Sequence, residues 1–195
     1  RGSLPPGPMV PRPSHPVPRV RSTTPAPLIV VDPVIGDAPG GLYLPEAVAE
    51  ALRAELCPLA DLLTPNRFEL GWLTGRSVEA LTDTDTAAEA LMAQSSGDAV
   101  LVTSAPLGPD RTGVLARDAA GTLVFSTTRL DGVPHGVGDA FSALMTAGLP
   151  TATALGQLQA LVAESLGADH LRIVEAAGQW TTASPLHPTR YPGKG

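Results

Sequence analysis

Gly136-Val137-Gly138-Asp139 stands directly ahead of an apolar run. Glycines at 136 and 138 let the backbone turn tightly and aim the free amides of a helix start at a ligand, where the helix dipole favours negative charge. That arrangement suits a phosphate. A carboxylate at the same point can take the proton of an attacking alcohol while the amides neutralise charge on the transferred group. Taken alone, the aspartate reads as an ordinary residue of a capped helix start. Three further polar clusters weigh against that reading: Asp32 to Asp37 (DPVIGD), Thr64 to Glu69 (TPNRFE) and Thr103-Ser104. Asp37 and Glu69 have the chemistry to hold magnesium, directly or through its waters, because that ion takes few carboxylates and keeps part of its hydration. Their plain alternatives are a turn residue and a solvated glutamate in a helix's first turn.

Other chemistries are excluded by what the sequence lacks. No G-x-x-x-x-G-K-[ST] loop occurs and the one lysine is Lys194, so a P-loop enzyme is ruled out. A single cysteine, Cys57, and four histidines make neither a disulfide framework nor a cysteine-rich zinc site. With apolar neighbours near a helix end, Cys57 is expected to be a buried, inert thiol. The net charge of −6 repels nucleic acid and anionic membranes alike. No apolar run approaches the length that crosses a bilayer, and the first thirty residues lack the apolar core of a secretory signal, so the expected compartment is the cytoplasm.

The clusters need elements to position them. Leu28 to Val31 and Ala99 to Thr103 are short runs with the composition of buried strands of a parallel sheet, and Asp61 to Thr64 is a further short strand candidate. Pro45 to Leu56, Phe68 to Leu73, Thr86 to Gln94, Gly138 to Thr146 and Ala152 to Leu166 carry helical spacing, and Gly75 stops the second of these. Val114 to Ala116 and Leu123 to Thr127 read as a hairpin. Strands alternating with helices predict an α/β layered fold with a mostly parallel central sheet, whose ligands sit at the carboxyl ends of the strands. All three strand-borne clusters stand at such ends. Residues 1–27, rich in proline and arginine and free of acid, are expected to be a disordered arm, 28–178 the folded body, and 179–195 a loose tail.

The ordered set DPVIGD, TPNRFE with Leu73-Thr74-Gly75, Thr103-Ser104 and GVGDAFSA resembles the C-terminal portion of pyridoxal kinases in the ribokinase-like superfamily, from Ile29 to Ala177. The resemblance implies a ribokinase-like three-layer fold lacking its N-terminal part. It also implies transfer of the ATP γ-phosphate to the 5′-hydroxymethyl group of pyridoxal, with magnesium, a potassium ion, no nucleic-acid or membrane partner, and a homodimer. Asp139 would be the base and Gly136, Val137 and Gly138 the anion hole, with valine where threonine is common. Asn66, Thr103 and Ser104 would meet ATP, Asp37 and Glu69 the magnesium, and Asp32, Thr64 and Thr103 the monovalent cation. Hydroxymethylpyrimidine kinases share DPV and a TPN-like stretch but commonly place cysteine where Asp139 stands. The arm begins with arginine and is unlike the body, so a truncated reading, weak or inactive alone, is expected. A non-catalytic nucleotide-binding remnant and a hydroxymethylpyrimidine kinase-like enzyme are the competing readings.

Overall fold

Strands with apolar side chains on both faces form one side of the described sheet. In the computed structural model, which describes residues 26–192, β1 (Val30–Val31) pairs in parallel with β4 (Leu62–Leu63), and β4 in parallel with β5 (Ala99–Thr103). Beyond β5 the sheet turns antiparallel: β6 (Arg111–Asp118), β7 (Gly121–Thr128) and β8 (Thr189–Tyr191) complete the order β1-β4-β5-β6-β7-β8. The parallel character therefore belongs to the three strands whose ends carry the polar clusters. A separate small ribbon joins β2 (Gly36–Asp37) to β3 (Gly41–Leu42).

Because successive strand side chains alternate between faces, the sheet builds two cores. Leu63, Val100, Val102 and Leu115 pack on one face, with Leu70, Leu73, Ala87 and Leu91 from the helices above. Leu62, Leu101, Val114 and Phe125 pack on the other, with Phe141, Met145 and Leu155. The first layer holds α1 (Glu46–Ala51), α2 (Arg67–Thr74) and α3 (Leu81–Met92). The second holds α4 (Val137–Thr146) and α5 (Thr151–Glu164). This is the expected three-layer α/β/α arrangement.

Three details depart from the sequence reading. The helix expected over Pro45 to Leu56 stays α-helical only to Ala51, then widens into a π turn over Leu52–Leu56 and a 3-10 turn over Cys57–Leu59. Pro58 has no amide to continue an α-helical ladder. Helix α3 begins at Leu81 rather than Thr86. Its first turns read as polar, yet Thr84 and Thr86 return their hydroxyls to the carbonyls of Ala80 and Thr82 at 2.9 and 2.8 Å, and Thr84 and Asp85 are buried. The expected loose tail from residue 179 is not loose as far as residue 192. It carries the end of α6 (Ala177–Trp180) and strand β8, pinned by the Leu186 amide on the Ala152 carbonyl at 2.8 Å. Most of the proline-arginine arm, residues 1–25, lies outside the described residues.

Candidate functional site

The carboxyl ends of β1 and β4 are joined to α4 through one alcohol. Ser142 donates to Asp32 Oδ2 at 2.8 Å, and Thr64 Oγ1 lies 2.9 Å from Ser142 Oγ. With its single proton given to Asp32, Ser142 accepts from Thr64, whose side chain is buried. Ser142 stands three residues after Asp139, so both face the same side of α4. Burial pushes the Asp32 carboxyl above the ordinary aspartate range, the Ser142 bond pulls it back, and the nearby Asp139 charge pushes it up again. Asp139 itself is exposed.

Gly136 opens α4 in the left-handed region at φ 98°, and no side chain caps the helix start. The space beside Gly138, where a Cβ would point, is empty to 4 Å. The first amides of α4 therefore meet a ligand or solvent, as an anion site requires. The plain reading of Asp139 as an N-terminal cap is not what the structure shows.

The corner between β4 and α2 has a different character. Asn66 and Glu69 form a reciprocal capping box: Asn66 Oδ1 accepts from the Glu69 amide at 2.9 Å, and Glu69 Oε2 accepts from the Asn66 amide at 2.8 Å. Glu69 Oε1 accepts from the amides of Ile35 at 2.8 Å and Gly36 at 3.5 Å, while Asn66 Nδ2 donates to the Gly36 carbonyl at 2.7 Å. The pair thus ties the DPVIGD loop, including Val34 at φ 47°, onto α2. Only glycine fits at 36, where a Cβ would lie 2.3 Å from the Gly41 carbonyl oxygen. Glu69 is 2% exposed. Burial raises its carboxyl, the Asn66, Ile35 and Gly36 amides lower it, and the Asp32 charge raises it. With both oxygens engaged by amides, Glu69 anchors the loop and is buried, unlike the solvated first-turn glutamate of the plain reading.

Thr103 pairs with Asn66 as a parallel bridge and donates its amide to the Pro65 carbonyl at 2.9 Å. Ser104 follows at φ 54°, a left-handed conformation unusual for serine. Asp37 is half-buried beside the Tyr43 hydroxyl, whose acidity that contact weakens. Asp37, Asn66, Thr103, Ser104, Val137 and Gly138 share the wall of one cavity of about 900 Å³. Asp32, Thr64, Glu69, Gly136 and Asp139 are outside that wall, although Asp139 follows Gly138 directly. The monovalent-cation trio divides accordingly: Asp32 and Thr64 meet through Ser142, and Thr103 faces the cavity.

Sequence reasoning passed over Ser142 and two cations of the wall, Arg111 and Arg129, while the third, Arg67, reads in the sequence as either an ATP contact or, by preference, a charge facing water. Spacing from Asp139 could have found Ser142. Phe68 lines the cavity and lies against Gly36, and Trp72 packs on the core with Arg53 5.6 Å from its ring centroid. Cys57 is buried, its thiol pushed up to about 11 mainly by desolvation, in keeping with an inert role. Among the described residues no helix is long and apolar enough to cross a membrane.

The chain is similar in sequence and fold to known proteins. The model of the phosphomethylpyrimidine kinase family matches residues 17–166. A pyridoxine/pyridoxal/pyridoxamine kinase of Bordetella avium is 41% identical over 133 residues, covering 67% of this chain and 45% of that protein. Pyridoxal kinase PdxY of Leifsonia xyli is 40% identical over 134 residues, covering 67% of this chain and 47% of its own length. The chain spans about half the length of these curated relatives. Among solved structures, pyridoxal kinase from Leishmania donovani in complex with ADP and pyridoxamine superposes with a TM-score of 0.74 at 28% identity, covering 86% of this chain and 63% of that one. Pyridoxal kinase from Entamoeba histolytica, 23% identical, shares the fold with a TM-score of 0.73 over 84% of this chain and 62% of its own.

Proposed function

The chain belongs to the phosphomethylpyrimidine kinase family, of the ribokinase-like superfamily, and from that premise we propose that residues 28–178 are the nucleotide-binding and catalytic portion of a pyridoxal kinase. The observation that carries the reading is Asp139 itself: exposed, next to a glycine-opened and uncapped helix start, and beside the ends of β1 and β4. Asp139 accepts the proton of the 5′-hydroxymethyl group as its oxygen bonds to the γ-phosphorus. The bond from that phosphorus to the β,γ-bridging oxygen breaks and ADP leaves. Amides of Val137 and Gly138 face the charge on the transferred group, and Gly136 provides the turn that opens them.

Asn66, Thr103 and Ser104 sit on the nucleotide side, and the apolar end of the cavity, with Phe125, Phe141 and Leu155, suits a base. Magnesium supplies charge neutralisation on the phosphates when bound. Asp37, an acid in the cavity wall, fits it, whereas Glu69, sealed among amides, does not. A potassium ion is not needed to link Asp32 with Thr64, since Ser142 does so. The small-molecule substrate, cytoplasmic setting and homodimer implied by the resemblance complete the proposal.

With about half of a relative's length present, the chain is expected to bind ATP while forming pyridoxal phosphate slowly. Purified chain, ATP, magnesium and pyridoxal should give a low rate that Asp139→Asn abolishes without loss of ATP binding. Equal rates in both proteins, or no ATP binding at millimolar nucleotide, would overturn the reading. The family's description favours a second substrate, a phosphomethylpyrimidine, and a panel of both substrate types separates the two.

A further inference from the structure

The body from Asp32 to Gly178 carries seven arginines against nineteen acids. Among the described residues two of the seven arginines are in ion pairs, Arg53 with Glu50 at 2.6 Å and Arg117 with Asp85 and Glu89, while Arg76 and Arg172 have none and are not in the cavity wall. The remaining three, Arg67, Arg111 and Arg129, are also in no ion pair among the described residues, and all three line the 900 Å³ cavity. The same wall carries two acids, Asp37 and Glu79. Cations collected in a concave surface and left without a carboxylate raise the local concentration of anions.

Arg111 is the best prepared of the three. It begins β6 opposite Thr128, the last residue of β7, so it stands at the open end of the hairpin. Antiparallel pairing of β5 with β6 puts that end beside Thr103 and Ser104. Its Nε donates to Ser126 Oγ at 2.6 Å, which fixes the guanidinium plane and leaves the terminal nitrogens free to fork onto an oxyanion. Arg129 is held close by through its amide on the Asp110 carbonyl at 2.9 Å. Arg67 approaches from the first position of α2.

We infer that Arg111, supported by Arg129 and Arg67, binds the polyphosphate chain of the donor, giving the site an anion contact on the hairpin separate from the glycine loop at α4. The inference rests on the kinase reading for its ligand, but it stands on the arginines and can be tested without catalysis. The full 195-residue chain is titrated calorimetrically with ATP, inorganic tripolyphosphate and adenosine at low and moderate salt. Arg111→Ala should weaken ATP and tripolyphosphate about tenfold or more, flatten the salt dependence of both, and leave adenosine unchanged. Arg111→Lys should recover part of the loss, since it restores charge but not the fork. Arg111 is exposed, so the urea midpoint of each variant should match the parent.

Absence of tripolyphosphate binding by the parent chain, or an Arg111→Ala chain that binds it as tightly, would overturn the inference. These results are distinguishable from failure of the kinase reading. Arginine-dependent tripolyphosphate binding with no phosphoryl transfer leaves the inference standing and sinks the kinase. Asp139-dependent transfer with ATP affinity unchanged in Arg111→Ala does the reverse.

Discussion

Replacing Glu69 by alanine tests whether the TPNRFE cluster serves the scaffold or a metal. The side chain is buried and holds the amides of Asn66 and Ile35 at 2.8 Å each, with Gly36 at a marginal 3.5 Å. Alanine leaves two good donors without an acceptor in a site closed to water, at about 1–3 kcal/mol apiece. Loss of the carboxylate also relieves a desolvation penalty, but three amides already offset much of it, so the orphaned donors win. A net loss of about 2–4 kcal/mol is a large part of the 5–15 kcal/mol typical of a domain. With a urea dependence of roughly 2 kcal/mol per molar, the unfolding midpoint should fall by about 1–2 M. Fluorescence of Trp72, on the same helix, follows the transition. Glu69→Gln keeps one acceptor and should recover part of the loss. An unchanged midpoint together with an altered magnesium requirement would refute the reasoning, because it would mean that the carboxylate faces an ion and not the loop.

Other consequences follow from the same geometry. Two substitutions should move the Asp32 carboxyl in opposite directions when its carbon signal is titrated by NMR: Asp139→Asn lowers its pKa by removing a like charge, and Ser142→Ala raises it by removing a bond to the charged form. Shifts of the same sign would show that Asp139 lies away from the strand ends. A raised folded pKa makes the stability contribution of Asp32 complete below its unfolded value and lost as pH rises through the folded one. Denaturation across that window should accordingly show Asp139→Asn losing less stability than the parent. Gly156→Ala should destabilise by about 2 kcal/mol and expose residues 181–192 to protease, since a Cβ there would lie 2.0 Å from the Ser184 carbonyl oxygen. A gain of about 1 kcal/mol, the helix-propensity result, would show that this segment is not packed on α5.

Legibility in the sequence followed the physical range of each interaction. Ala99–Thr103 was readable to the residue because a strand apolar on both faces leaves a contiguous signal. Helix α3 lost its first turns because Thr84 satisfies its hydroxyl inside its own helix, which hydropathy counts as exposure. The tail from 179 lost its strand because Thr189–Tyr191 pairs with Thr122 to Val124, far away in the chain, and Leu186 and Gly156 hold the approach to it, contacts that no local pattern reveals. Glycines and acids at the strand ends were visible as types. Their partners were only partly so: the spacing Asn66-x-x-Glu69 is that of a capping box and points to the Asn66 amide, but nothing local shows that Ile35 and Gly36 share the same carboxylate.

The difference between Glu69 and Asp139 shows what does decide such cases. Both are carboxylates at the third position of a helix after a polar cluster. Helix α2 follows asparagine, whose side chain takes the Glu69 amide and so completes a reciprocal cap, and the DPVIGD loop closes over the glutamate. Helix α4 follows Gly136, which has no side chain to return the cap, and Gly138 leaves open the volume that a Cβ would enter. The residue that opens the helix thus determines whether its acid is spent on the backbone or left free for chemistry. Asn66 caps α2 from an extended backbone at φ −75°, whereas residue 136 is left-handed at φ 98°, so an asparagine there is strained and can reach the capping geometry only if the turn swings out of that region. Gly136→Asn should therefore lower the thermal midpoint by a few degrees and weaken ATP binding by displacing the first amides of α4, and a variant that keeps both its midpoint and its ATP affinity would show that the turn at Gly136 does not hold the phosphate site open.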